Sequence, residues 1–201
     1  MDLPDSVAVR FSALCLDDDG RLSDFDLSHS ALRGALLVDL ALLGRMTQET
    51  ESISLDARPT GIAPADRLLD EITSDPDRTF DWWLDKATVG LQDMANYNLR
   101  TGRWEQRRSY LRPLAHRYVD LRRDATRRDQ VIETRGLTGM PVTDAALTAI
   151  AVASGLRAKP PSRPRSLLLE ATGPVRWVCE AVVDGLLAQH SRNVAAGFAV
   201  R

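Results

Sequence analysis

The chain has 201 residues, 44% of them hydrophobic and 27% charged, and a formal net charge of −2. That balance fits one globular domain, or one domain with extensions, with enough apolar material for a core. It excludes a polycation that holds nucleic acid by overall charge, so any basic function has to come from a local patch.

The opening MDLPDSVAVRF is acidic and has neither a basic start nor a long apolar stretch, so no signal peptide is expected. Residues 6–16 (SVAVRFSALCL) are apolar and β-branched and stop at the turn signal DDDG. So short a run fits a strand or a short helix. In ALRGALLVDLALLGRM, Leu32, Leu36, Leu37, Leu40 and Leu43 recur at helical spacing. They predict a helix over about 30–45, capped by Ser28 or Ser30. Its stretch 35–44 is broken by Asp39 and is far shorter than the roughly 20 residues that span a bilayer. The expectation is a cytoplasmic protein, at most peripheral at the inner face of a membrane.

Residues 47–58 alternate polar residues with Ile53 and Leu55, a short strand pattern. PTGIAP is a loop, and ADRLLDEIT places Leu68, Leu69 and Ile72 on one helical face. After a break at Pro76, a helix is expected from about Thr79, capped by Thr79 or Asp81. Trp82, Trp83, Val89 and Leu91 supply its apolar surface. Residues 100–114 fit a β-hairpin, and 119–133 resume helical character. PVTDAALTAIAVASGL is a strongly apolar helix ending at Gly155. Residues 158–165 read as a Pro-rich basic loop, and a last helix runs over about 174–190. The fold class is therefore mainly α: a single helical domain over 1–201 with one or two short β-hairpins.

Motifs for catalysis are thin. His29, His116 and His190 are scattered, and no GxSxG, HExxH, Walker loop or GxGxxG occurs. No enzyme activity and no cofactor are expected. Cys15 and Cys179 sit in apolar contexts and read as buried thiols rather than zinc ligands.

Arginine is the unusual feature. Of 26 basic residues two are lysines, Lys86 and Lys159, so 24 are arginines. Eight fall in RRSYLRPLAHRYVDLRRDATRR, residues 107–128, against Asp120 and Asp124. On a helix, Arg123 and Arg127 share a face, and phosphate suits two guanidinium forks. A solvated face neutralised by the two aspartates is the plainer reading. Arg33 lies near the start of an almost wholly apolar helix, where the helix dipole disfavours a cation. It either snorkels to solvent or reaches an anion. Asp39 calls for a buried partner, an arginine elsewhere being the expectation. Gly34 and Gly44 suggest close helix contact.

Three segments in order, SALCLDDDGRL, ALRGALLVDLALLGRM and PTGIAPADRLLDEI, resemble the Golgi phosphoprotein 3 family. DAALTAIAVASGL and VRWVCEAVVDGLLA resemble its later helices, so the likeness covers about residues 6–190. The resemblance implies a mostly α-helical domain with a β-hairpin. It also implies a peripheral membrane role through phosphatidylinositol 4-phosphate or another anionic phospholipid headgroup. Retention of glycosyltransferases through their cytosolic tails is the family's adaptor role, so protein tails are the alternative partner; nucleic acid is not expected. The family's headgroup pocket uses a Trp, the "LRG" arginine and two basic residues after the hairpin. Arg33 matches the arginine. The Trp position falls on Asp24, beside Phe25, which leaves Phe25 as the aromatic substitute. The later basic residues fall at Arg127, with Arg123 or Arg128 as the second.

Overall fold

A computed structural model describes residues 6–23, 25–50, 52–108, 116–123, 139–156 and 165–199. Among these, eight α-helices and two short antiparallel hairpins are found. The helices are α1 (Val7–Leu14), α2 (Ser28–Leu42), α3 (Ala63–Ser74), α4 (Phe80–Lys86), α5 (Leu91–Arg100), α6 (Val142–Ala153), α7 (Arg165–Ala171) and α8 (Arg176–Ala199). Strands β1 (Met46–Gln48) and β2 (Ile53–Leu55) form one hairpin, and β3 (Trp104–Arg108) and β4 (His116–Asp120) the other. The fold is mainly α with short hairpins, as expected.

Helix α2 is the axis of the core. It packs against α1, α3, α4, α6 and α8, which is why it is apolar on every side. Leu32, Leu36 and Leu40 are wholly buried, and burying each contributes about 2 kcal/mol. A Cβ on Gly34 would lie 2.4 Å from Cγ1 of Val182, so this glycine sets the close approach of α2 and α8. Leu84 of α4 packs into the same junction. Its Cδ1 would be 2.5 Å from a Cβ on Gly185 and its Cδ2 3.5 Å from one on Gly34. Gly44 plays a different part from the one expected. A Cβ there would meet nothing within 4 Å, and its φ of 65° ends the helix in the left-handed region.

A second, smaller core lies under the β3–β4 hairpin. Ala13, Ala95, Trp104 and Tyr118 are buried together, and the Trp104 and Tyr118 rings are 5.5 Å apart. The Tyr118 N–H donates to the Gly20 carbonyl at 2.6 Å, and its hydroxyl accepts from Gln92 at 3.1 Å. The first bond ties the hairpin to the turn after α1, and the second ties it to α5.

Several local expectations change. Of the two readings open for residues 7–14, helix is the one found, and the Val7 and Ala8 amides at its start donate to Asp39. Helix α2 starts at Ser28 with Leu27 in the cap position and no side-chain cap, so neither Ser28 nor Ser30 caps it. The strand pattern at 47–58 is a complete hairpin, with Met46 opposite Leu55. The helix from Thr79 is two helices, α4 and α5, separated at 87–90; Thr79 caps the first, accepting from the Trp82 N–H. Residues 119–120 belong to β4, and most of the helix expected over 119–133 lies outside the described residues. Residues 158–164 of the basic loop also lie outside them, while Arg165 already opens α7. The last helix begins at Arg176, after a 3-10 turn at Gly173–Val175, and runs to Ala199. Among the described residues no helix is long and apolar enough to cross a membrane.

Candidate functional site

Helix α2 carries Arg33 on its first turns, and the guanidinium is half-buried against the linker between α4 and α5. Its Nε donates to the Val89 carbonyl at 2.8 Å. Its Nη1 donates to the carbonyls of Leu84 and Asp85, both at 2.9 Å. The last carbonyls of a helix have no partner within the helix and carry its negative end. Arg33 supplies both the donors and the positive charge. It neither snorkels freely nor waits wholly for an anion. Among the described residues, Nη2 makes no hydrogen bond. Burial pushes the pKa of Arg33 down, while Asp85 and Glu71 pull it up, yet an arginine stays charged. Those two acids also oppose any anion that approaches Nη2.

The same linker is gripped from α3. The Thr88 N–H donates to Glu71 at 3.0 Å, and the Thr88 hydroxyl makes a short bond to the same carboxylate. Arg67 donates to Asp93 at 3.0 Å and to the Thr88 hydroxyl at 2.7 Å, and Asp93 accepts from the Gly90 N–H at 2.9 Å. Thus the arginine of the LRG segment and the glutamate of the LLDE segment clasp residues 84–89, and Arg67 extends the clasp to Asp93. The PTG segment has its own local task. Asp66 accepts the N–H and the hydroxyl of Thr60, both at 2.6 Å, and fixes the turn that starts α3.

The other charge expected to need a partner, Asp39, is wholly buried. Its partner is not an arginine but the start of α1. Ser6 Oγ donates to Oδ2 at 2.6 Å, the Val7 N–H to Oδ1 at 2.8 Å, and the Ala8 N–H to Oδ2 at 3.0 Å. Burial pushes the Asp39 pKa up to about 6, against the pull of these three bonds and of Arg10. Arg45 reaches Asp56 at 2.9 Å across the first hairpin. Both cysteines are buried free thiols, and burial drives Cys179 up to about 12.

The remaining site residues fall as follows. Phe25 lies just ahead of α2 and packs, partly buried, against the main core. Arg123 is exposed beyond β4. Leu121, two residues earlier, donates its N–H to the Arg103 carbonyl just past the end of α5, whereas Arg33 holds Val89 just before its start. The two arginines are therefore tied to opposite ends of a ten-residue helix, about 15 Å long. Arg127, Arg128 and Asp24 lie outside the described residues. What sequence reasoning missed is the clasp itself. Thr88 and Asp93 carry no motif, and although Arg67 and Glu71 lie within PTGIAPADRLLDEI, their i, i+4 spacing on α3 points to a polar face and not to the residues they hold.

The fold is thus helical, built around an apolar central helix that carries two charges, one of them an arginine holding a neighbouring helix end. The Golgi phosphoprotein 3 family model matches residues 10–186, which is most of the chain, and the protein belongs to that family. No curated protein sequence matches the chain at a significant level.

Proposed function

We propose that the protein is a peripheral binder of anionic phospholipid headgroups, of the phosphatidylinositol 4-phosphate type, within the Golgi phosphoprotein 3 family. One observation carries the reading. Arg33, which occupies the position of the family's LRG arginine, is held in a single orientation by three backbone carbonyls while its Nη2 edge stays uncommitted. A pre-oriented guanidinium loses little freedom when it takes a phosphate oxygen. Arg123, toward the other end of α5 from Arg33, belongs to the same reading with Arg127 and Arg128 through the attraction of these arginines to a negative surface, and Phe25 stands in for the family's Trp.

Vesicle sedimentation tests this. Phosphatidylcholine vesicles containing phosphatidylinositol 4-phosphate should bind the protein more tightly than phosphatidylcholine alone, and added salt should weaken the binding. Replacing Arg123, Arg127 and Arg128 by Gln should cost about fivefold in affinity per arginine near the surface. Equal binding to both vesicle types would overturn the reading. Capture of membrane-protein tail peptides without vesicle binding would replace it with a tail adaptor.

A further inference from the structure

The β3–β4 hairpin sets two arginines directly against each other. The register pairs Arg107 with Arg117, one step from the Gln106–Tyr118 pair. Side chains alternate along a strand, and Trp104 and Tyr118 face the small core, so Arg107 and Arg117 face the other way. Directly opposite Cβ atoms lie about 5 Å apart, and like charges in that position repel. Ordinarily a carboxylate relieves such a pair. Glu105 lies on the same face, opposite Val119, yet among the described residues it forms no ion pair with either arginine. Arg107 is exposed and Arg117 half-buried, and neither side chain has a hydrogen-bond or ion-pair partner among the described residues. The Nε of Arg117 is shut off from solvent and bonded to nothing. A buried N–H without an acceptor is uncommon, because it forfeits its water and gains no replacement.

Two opposed arginines with no carboxylate between them have one remedy, an oxyanion that accepts from the open parts of both guanidinium groups. We propose that Arg107 and Arg117 form a phosphate-binding site on the outer face of the β3–β4 hairpin, separate from the clasp around Arg33. A phosphate group fits best, since its several oxygens accept from two planar forks at once. A phosphorylated lipid headgroup and a soluble phosphate share that chemistry. The site does not depend on the Arg33 reading, because it uses none of its residues.

Thermal unfolding at low salt, with and without inorganic phosphate, reads the site directly. Phosphate should raise the midpoint of the wild type by several degrees more than that of R107Q/R117Q. Without phosphate the variant should melt no lower than the wild type, since the repulsion is gone. E105Q serves as the control and should keep, or strengthen, the phosphate response. Vesicles of phosphatidic acid in phosphatidylcholine then separate the sources. A loss of binding of about fivefold per arginine in R107Q/R117Q assigns the site to lipid. Phosphate stabilisation with unaltered vesicle binding assigns it to a soluble phosphate compound. If phosphate stabilises wild type and R107Q/R117Q alike, and vesicles bind both alike, the site does not exist. The R123Q/R127Q/R128Q variant keeps both arginines, so its behaviour reports on the proposed headgroup site alone.

Discussion

The two ends of α2 solve the same electrostatic problem with opposite charges. Asp39, toward the C-terminal end, accepts three hydrogen bonds from the start of α1. Arg33, toward the N-terminal end, donates three to the end of α4 and the linker beyond it. Helix N-termini carry partial positive charge and C-termini partial negative charge, so each side chain has the sign its target requires. The ends differ in solvent access. Asp39 is wholly enclosed and has every hydrogen bond it needs, whereas Arg33 is half-buried and retains one free edge. A charge closed off from water serves packing alone. A charge fixed by the protein and still open on one side is available for binding.

Removing Asp39 should have the largest effect. Asp39→Ala leaves the Ser6 hydroxyl and the Val7 and Ala8 amides buried without acceptors, and should cost about 3–5 kcal/mol in urea unfolding. Asp39→Asn keeps an acceptor and should cost less. The acid also has a pH signature. Its folded pKa, about 6, lies above the unfolded value of 3.8, so the folded state binds the proton more tightly. As pH falls from 7 toward 4, the wild type should therefore gain stability relative to Asp39→Asn. A constant difference across that range would show that burial does not hold the Asp39 pKa above its unfolded value.

Arg33→Ala comes next, at about 2–3 kcal/mol, because three carbonyls lose a charged donor but some regain water. Hydrogen exchange should quicken in residues 84–93 and stay unchanged in α1. If exchange quickens equally in both, the two ends of α2 are not separate devices.

How far the sequence reaches is visible on this one helix. The leucine spacing predicts α2 to within a few residues, and the later apolar helix ending at Gly155 is equally plain, because both signals are local. The partners of Arg33 and Asp39 are not local. They lie 56 and 33 residues away at their farthest, and no periodicity links them. The break at 87–90 was missed for the same reason. KATVG contains no proline, and what ends α4 there is Arg33 and Glu71 arriving from other helices. The cap of α2 was missed because serines in the right place outweighed the fact that Leu27 is buried there.

Between the two charges sits Gly34, and Gly34→Ala tests whether they share one rigid frame. The new methyl would lie 2.4 Å from Val182 Cγ1, which forces the Val182 side chain or α8 itself to shift and should cost about 1–3 kcal/mol. Val182→Ala in the same chain should recover part of that loss. No recovery would mean that the backbone of α8, rather than this one side chain, sets the spacing.

The smallest effect is expected at Arg10, which faces both Asp39 and solvent. It pairs with Asp144 at 2.7 Å, linking α1 to α6, and it is the least of the influences that lower the Asp39 pKa. The pair retains some solvent contact, so Arg10→Met should cost about 1 kcal/mol or less. With the cation gone, the Asp39 carboxylate should titrate slightly higher than in the wild type. The pH range over which stability exceeds that of Asp39→Asn should then move up by the same small step. A large step would mean that Arg10 neutralises Asp39 after all. The acid would then be held by an arginine as much as by the start of a helix, and the symmetry between the two ends of α2 would be lost.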